Sequence, residues 1–427
     1  MNTKKSVISA ALAVLLTLGL IGCSTKTVDN FQESETTSEQ VFVKANGKTI
    51  LDLNGEVIQL KGTNLGNWLV PEGYMFKFEQ VNSPRKIDEF LYELIGPDSL
   101  DAFWESYLQT YITQDDIKYL KKIGLNHVRL PFHYKLFTQD KYMGGRNLGF
   151  QYCDSLVKWC KEENIYVLLD MHCAPGGQTG DNIDDSYGYP YLLVSGSSQQ
   201  LMSDVWVQIA EHYKDEPIIL GYDLVNEPIA HYFDDEMDTL NKNLFALYER
   251  LIDDIRLVDT NHLIFVNGSR WSTRFNVFTQ PLGDNVVYEF HKYWMPAVQK
   301  EIQDYIDFQN KYDVPIYVGE TGENTDEWVL QFRDLLDSNE VNWCFWPYKK
   351  MNNPKGIMNF EQPAIYDTLI NYALSDRSSY AKIRENRPNR SIAQEALNQY
   401  LENSKLENNF ENTGYIESLG FVPQNKK

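Results

Sequence analysis

Two stretches of the chain, "LVNEP" (Leu224 to Pro228) and "YVGE" (Tyr317 to Glu320), each bring an apolar run to a glutamic acid. Burying an ionised carboxylate without a partner is costly, so an acid at the end of a buried run calls for a specific use. Two carboxyl groups facing one space cannot both ionise freely: one keeps its proton while the other stays charged. That division suits cleavage of a glycosidic bond, where one acid protonates the leaving oxygen and the other attacks or stabilises an oxocarbenium-like carbon. Glu323 competes for the second role, but it lies beyond a glycine in the loop, whereas Glu320 closes the run.

Other polar residues also sit where apolar runs stop: Asn64, Arg129, His172, Asn226, Asn267, His291 with Tyr293, and Trp346. An inward Arg129 beside paired carboxylates has an electrostatic reason to exist. The alternative is an ordinary strand-end ion pair with Asp170 or Glu289. For His172 and His291 the alternatives are satisfied core histidines or metal ligands. A metal-dependent barrel hydrolase would typically open with His-x-His on its first strand, and "GTNLGN" stands there instead. With no CxxC or Cys/His ligand spacing anywhere, neither a metal nor an organic cofactor is expected.

Positioning these residues requires a scaffold that gathers strand ends. Eight short aliphatic or β-branched runs are predicted as strands: Ile58 to Leu65, Asn126 to Phe132, Ile165 to His172, Ile218 to Asn226, His262 to Asn267, Asn285 to His291, Pro315 to Glu320 and Asn342 to Pro347. Amphipathic helical stretches separate them. In "TQDDIKYLKKIG", Thr113 and Asp116 form a capping box and Gly124 supplies the stop. The alternation predicts an α/β fold, a (β/α)8 barrel, whose active site gathers at the C-terminal strand ends. Pro228 and a bend at the strand end would let adjacent Asn226 and Glu227 both reach the mouth.

Ahead of the barrel, Asn46-Gly47 and Asn54-Gly55 between alternating apolar residues predict a small β-hairpin cap. The catalytic domain is expected over 42–374. A polar extension, 375–427, follows, with one helical piece near Ile392 to Leu401, lying on the barrel or partly loose. Cys153 and Cys160, seven apart on a helix, stand roughly 10 Å apart and cannot bridge; Cys173 and Cys344 lie in apolar stretches and read as small buried residues.

The chain has 427 residues, 43% hydrophobic, and a formal net charge of −21. Such acidity argues against binding a phosphate backbone, so no nucleic-acid partner is expected. At the start, Lys4-Lys5 precede an apolar run from Ala10 to Ile21, too short to span a bilayer. "LIGC", Leu20 to Cys23, resembles a bacterial lipobox. Residues 1–22 are thus expected to be a lipoprotein signal peptide, Cys23 the lipidated residue and 23–41 a flexible tether. A secreted protein, lipid-anchored to the cell envelope, follows from this, touching the membrane through its anchor only.

"VRLP", "DMHCAPGG", "LVNEP", "FHKYW" and "YVGETG", in that order, resemble glycoside hydrolase family 5, the cellulase family of the retaining clan A, over nearly all of 42–374. The resemblance implies a β-glycosidase with Glu227 as acid/base and Glu320 as nucleophile. It further implies that Arg129 keeps the nucleophile charged and Asn226 hydrogen-bonds the sugar 2-OH. His172 and His291 would line the reacting subsite, Tyr293 would touch the nucleophile and Trp346 would form its floor. "GTNLGNWLVPEG" and "HCAPGGQTGDN" are similar to the exo-β-1,3-glucanase branch, from which Asn67 and Thr179 depart. The expected substrate is a β-glucan polysaccharide or oligosaccharide, met by a monomer; the alternatives are a β-1,4-glucanase, a β-mannanase, or a non-catalytic surface glycan-binding lipoprotein. Trp68, Trp271, Trp294, Tyr187, Tyr189 and Tyr191 are candidates for outer subsites, the tyrosines within a long loop, Ala174 to Gln200.

Overall fold

The computed structural model describes residues 41–424; the expected signal segment, Cys23 and the tether as far as residue 40 lie outside the described residues. Eight parallel strands close into a barrel, each paired with the next along the chain and the last with the first. They are β1 (Lys61–Asn64), β2 (His127–His133), β3 (Tyr166–Cys173), β4 (Ile219–Asp223), β5 (Leu263–Asn267), β6 (Val286–Lys292), β7 (Ile316–Thr321) and β8 (Asn342–Phe345). Each expected run matches one barrel strand, and β2, β3, β6 and β7 extend one residue beyond it. The run from Ile58 gives only Lys61–Asn64 because Val57–Ile58 belongs to the cap, and β4 stops at Asp223, three residues before Asn226.

All seven residues of β2 are buried, as a strand must be when one face meets the barrel interior and the other the helices. A large apolar core lies between strands and helices, while Leu168, Leu220, Phe265, Val287, Tyr317 and Cys344 form a smaller cluster with Val43 and Ile50 of the cap. The cap is a three-stranded antiparallel sheet, Lys44–Asn46, Thr49–Leu51 and Val57–Ile58, one strand more than a hairpin, and its apolar residues belong to the barrel's own interior cluster. Among the helices, Gln114–Ile123 starts at the Thr113/Asp116 capping box and ends at Gly124, whose φ of 118° is left-handed.

Residues 375–424 belong to the same compact unit as the barrel. They hold three helices, Tyr380–Asn386, Arg390–Ser404 and Thr413–Ser418, where a single shorter piece was expected. Tyr400 is fully buried, its ring 5.1 Å from that of Phe76, and Phe410–Glu411 pairs with Met358–Phe360. Buried aromatic area of this kind holds the segment down despite its polar composition. The four described cysteines are all buried, and none forms a disulfide. Among the described residues, no helix is long and apolar enough to cross a membrane.

Candidate active site

Arg129, in the middle of β2, is fully buried inside the barrel. Nη1 donates to Glu320 Oε1 at 2.7 Å and to Asn64 Oδ1 at 3.0 Å, Nε to Asp223 Oδ2 at 2.8 Å, and Nη2 to Asn226 Oδ1 at 2.9 Å. Asp170 stands 3.1 Å from Nη1 and Glu289 3.5 Å from Nη2. One guanidinium therefore ties β1, β2, β3, β4, β6 and β7 together. It also answers the choice left by the sequence: Arg129 pairs with Asp170 and Glu289 and reaches Glu320 as well.

Glu320 comes inward through an irregularity, since the pairing of β6 with β7 shifts between Val318 and Glu320. Tyr293 donates to its Oε2 at 3.2 Å. Glu227 reaches the same space from β4 by leaving the strand: its φ is 42° and that of Ile229 is 63°, both in the left-handed region that side-chain-bearing residues seldom occupy. Thr179 Oγ1 donates to the Glu227 carbonyl at 2.7 Å, and Gln178 Nε2 to the Asn226 carbonyl at 2.9 Å, so the loop after β3 clamps this bend. His291 Nδ1 lies 2.9 Å from Glu227 Oε1 and 3.9 Å from Glu320 Oε2.

Both carboxyl groups open into a cleft of about 650 Å³, whose wall includes His172, His291, Tyr293 and Trp346. The Trp346 ring stacks on His172 with centroids 5.6 Å apart and planes 9° from parallel, and its Nε1 donates to the Tyr74 hydroxyl at 2.6 Å. Burial pushes the Glu227 carboxyl well above the usual range, and the charge of Glu320 across the cleft pushes the same way. Burial also raises Glu320, but there the Arg129 guanidinium works against it. Both are raised, Glu227 further than Glu320, so of the two it is Glu227 that holds its proton more firmly.

Oxygen and nitrogen atoms of Asp170, His172 and Glu320, and of Glu227, His291 and Glu320, approach within 4.8 Å as metal ligands would. Glu320 is shared by both groups, and Arg129 lies 3.1 Å from Asp170 and 2.7 Å from Glu320, so a divalent cation would meet a guanidinium charge in the first group.

The sequence pattern of the family described as cellulase (glycosyl hydrolase family 5) matches residues 91–352. The chain belongs to glycosyl hydrolase family 5. Its relatives include a β-xylosidase of Phanerodontia chrysosporium, 26% identical over 80% of this chain and 77% of that protein. A probable glucan 1,3-beta-glucosidase A of Aspergillus fumigatus is 27% identical over 64% of this chain and 67% of that one. The crystal structure of rutinosidase from Aspergillus niger shares the fold, with a TM-score of 0.57 and 19% identity over 68% of this chain and 90% of that one.

The family 5 chain is accordingly a glycoside hydrolase, and its structure gathers all eight residues expected at the site. Arg129 bonds to Glu320, the place expected of a residue that keeps the nucleophile charged, whereas Asn226, expected at the sugar 2-OH, turns its side chain to Arg129 and His172. Arg129 and Asn226 have no exposed surface and lie beneath the cleft, their polar atoms spent on the network around Glu320 and on His172. Trp68 is not in any subsite: it is buried, with Nε1 donating to the Leu108 carbonyl. Trp271 and Trp294 do line the cleft; Tyr187 instead faces Arg85, and Tyr189 donates to Glu236.

Several lining residues had no signal in the order of strand ends. Glu72 and Tyr74 come from the segment after β1, and Glu323 faces the cleft rather than turning away, paired with Lys350, whose ammonium lies 4.7 Å from the Tyr74 ring centre. The buried acids Asp170 and Glu289 share a signal that was available: each lies two residues before a candidate site histidine on the same strand, while Asp223 is the last residue of β4. Side chains at period two face the same interior.

Proposed function

We propose that this family 5 enzyme hydrolyses β-glucan with net retention of anomeric configuration, with Glu320 as nucleophile and Glu227 as acid/base. The observation that carries the reading is the pairing of the two carboxyls in one cleft, an oxygen of each within 4.8 Å of the other, with Arg129 bonded to Glu320 and not to Glu227. Retaining enzymes hold their acids about 5–5.5 Å apart, whereas inverting ones need about 6.5–9.5 Å to admit a water.

In the first step an electron pair of Glu320 forms the bond to the anomeric carbon, the glycosidic C–O bond breaks, and its oxygen takes the proton of Glu227. In the second, water attacks that carbon, Glu227 accepts the water's proton, and Glu320 departs with its pair. Arg129 stabilises the carboxylate released, and the Tyr293 hydroxyl donates to the remaining oxygen. Trp346, Trp271 and Trp294 offer broad apolar faces suited to the C–H faces of pyranose rings. Glucan as substrate is supported by the family's cellulase description and by the glucan 1,3-beta-glucosidase relative.

Purified protein incubated with a panel of defined β-glucans should release products whose first-formed anomer, read by NMR, is β. An α product would refute the retaining assignment. Glu320→Gln should bind oligosaccharide and release no reducing sugar. Glu227→Ala should keep activity on activated aryl glycosides and yield a β-glycosyl azide when azide is added.

The reading extends to location: Lys4-Lys5, the apolar run from Ala10 and the Leu20 to Cys23 stretch support export and lipidation at Cys23. Metabolic labelling with palmitate should mark the full chain, and Cys23→Ala should remove both the label and membrane association.

A further inference from the structure

Glu289 lies inside the barrel on β6 with no exposed surface, and no step above uses it. Its Oε1 is 3.0 Å from His291 Nε2, and His291 Nδ1 is 2.9 Å from Glu227 Oε1, so a two-bond chain runs from the barrel interior to the cleft. Its Oε2 is buried and has no hydrogen-bond partner. The neighbouring strand β7 makes room for it: a Cβ at Gly319, the residue before Glu320, would stand 1.5 Å from Glu289 Oε1.

We propose that Glu289 is a positioning residue that remains protonated, donates from Oε1 to His291 Nε2, and thereby fixes which oxygen of Glu227 carries the transferable proton. The inference rests on the reading of Glu227 as acid/base.

The charge balance around Arg129 supports a neutral Glu289. One guanidinium faces four carboxyl groups. Glu320 and Asp223 lie 2.7 Å from it and Asp170 3.1 Å, whereas Glu289 is the most distant at 3.5 Å. Asp223 also accepts from Asn267 Nδ2 at 2.7 Å, and Asp170 from His172. Asp170 Oδ1 and Glu289 Oε2 both lack a donor, but Asp170 keeps the closer contact with the guanidinium. The remaining groups that sense it, Tyr248, Tyr317 and Cys344, are buried and bring no positive charge. A buried carboxyl with so little compensation is cheaper as the acid, and an apolar interior can keep such an acid protonated as a hydrogen-bond donor at neutral pH. Burial and the Asp223 charge push Glu289 well above the usual carboxyl range, and burial holds His291 neutral.

A proton on Glu289 Oε1 leaves Nε2 as acceptor and puts the imidazole hydrogen on Nδ1. Nδ1–H then donates to Glu227 Oε1, which can accept both as the carbonyl oxygen of the acid and, more strongly, as a carboxylate oxygen. The proton to be transferred is confined to Oε2, and the hydrogen bond persists through both steps. The opposite tautomer would need Glu227 to spend its proton on Nδ1, and would set two lone pairs against each other once that proton had left.

The full chain labelled with ¹⁵N-histidine tests this directly, with the His291 signals assigned by their loss in His291→Asn. The expected result is hydrogen on Nδ1 and a bare Nε2 from pH 5 to 8; hydrogen on Nε2 overturns the proposal. Glu289→Gln keeps a donor at the same place and should retain the Nδ1–H tautomer, with kcat/KM on unactivated oligosaccharide within about fivefold of wild type. Glu289→Met should lose roughly 10²-fold, the scale of general acid assistance. A folded Glu289→Gln as impaired as Glu289→Met would show that a charge is needed and overturn the proposal. If Glu289→Met fails to fold, the wild-type tautomer decides alone. Absence of azide rescue in Glu227→Ala would remove the acid/base reading and leave the tautomer result intact.

Discussion

Arg129 Nη1 donates to Glu320 Oε1 at 2.7 Å, yet no part of Arg129 reaches the cleft. The guanidinium acts on the reaction from below, by holding a buried carboxylate charged and fixed in direction. Lysine at this position would supply one point charge in place of a planar fork with several donors. Arg129→Lys should lower kcat by about 10²-fold or more. It should also unfold at lower temperature, because removing one partner of a buried charge network costs about 3–5 kcal/mol. Calorimetry and steady-state kinetics on the same preparation check both.

The two acids predict a bell-shaped dependence of kcat/KM on pH. Activity requires Glu320 ionised and Glu227 protonated. The rate should therefore fall on the acid side as Glu320 gains a proton, and on the alkaline side as Glu227 loses one. Burial and the Glu320 charge place Glu227 well above the usual carboxyl range, while Arg129 opposes the rise at Glu320, so the optimum lies between the two. Glu227→Gln, assayed with an activated aryl glycoside in the presence of azide, should lose the alkaline limb and keep the acid one.

Gly319 is required by a close approach. Its missing side chain leaves the space that Glu289 Oε1 occupies, where a Cβ would stand at 1.5 Å. Gly319→Ala must displace either the Glu289 carboxyl or the backbone that carries Glu320. Overpacking of this kind costs about 1–3 kcal/mol. The expected result is a lower unfolding midpoint in urea together with a loss of kcat larger than any change in KM.

His127, buried at the start of β2, touches the Tyr317 hydroxyl at 2.9 Å, and burial drives its pKa down to about 3. The folded protein thus refuses a proton that the unfolded chain accepts below pH about 6.5. Stability from this group is complete above that pH and is lost as pH falls from about 6.5 towards 3, by up to about 1.4 kcal/mol per pH unit. In urea titrations the stability of wild type relative to His127→Gln should decline with that slope between pH 6 and 5. Parallel curves would refute it.

Much of the architecture was legible because it depends on local patterns. Eight apolar runs alternating with amphipathic stretches can be read in order, and so can the Thr113/Asp116 cap and the cap turns at Asn46-Gly47 and Asn54-Gly55. The ends of runs were less legible: β4 stops at Asp223, and it is a left-handed Glu227, held by Thr179 from another loop, that aims the acid. A polar composition concealed how closely the C-terminal segment packs, since a few buried aromatics such as Tyr400 outweigh many exposed polar residues.

By itself the sequence determined which residue types stand at the strand ends, and so the chemistry of a glutamic acid pair with its arginine, histidines and tryptophan. Closure of the barrel decided the rest. Only when β2, β3, β4, β6 and β7 surround one axis do Arg129, Asp170, Asp223, Glu289 and Glu320 share a single charge environment. Which carboxyl keeps its proton follows from distances across that interior, and such distances arise between residues far apart along the chain, where no local pattern records them.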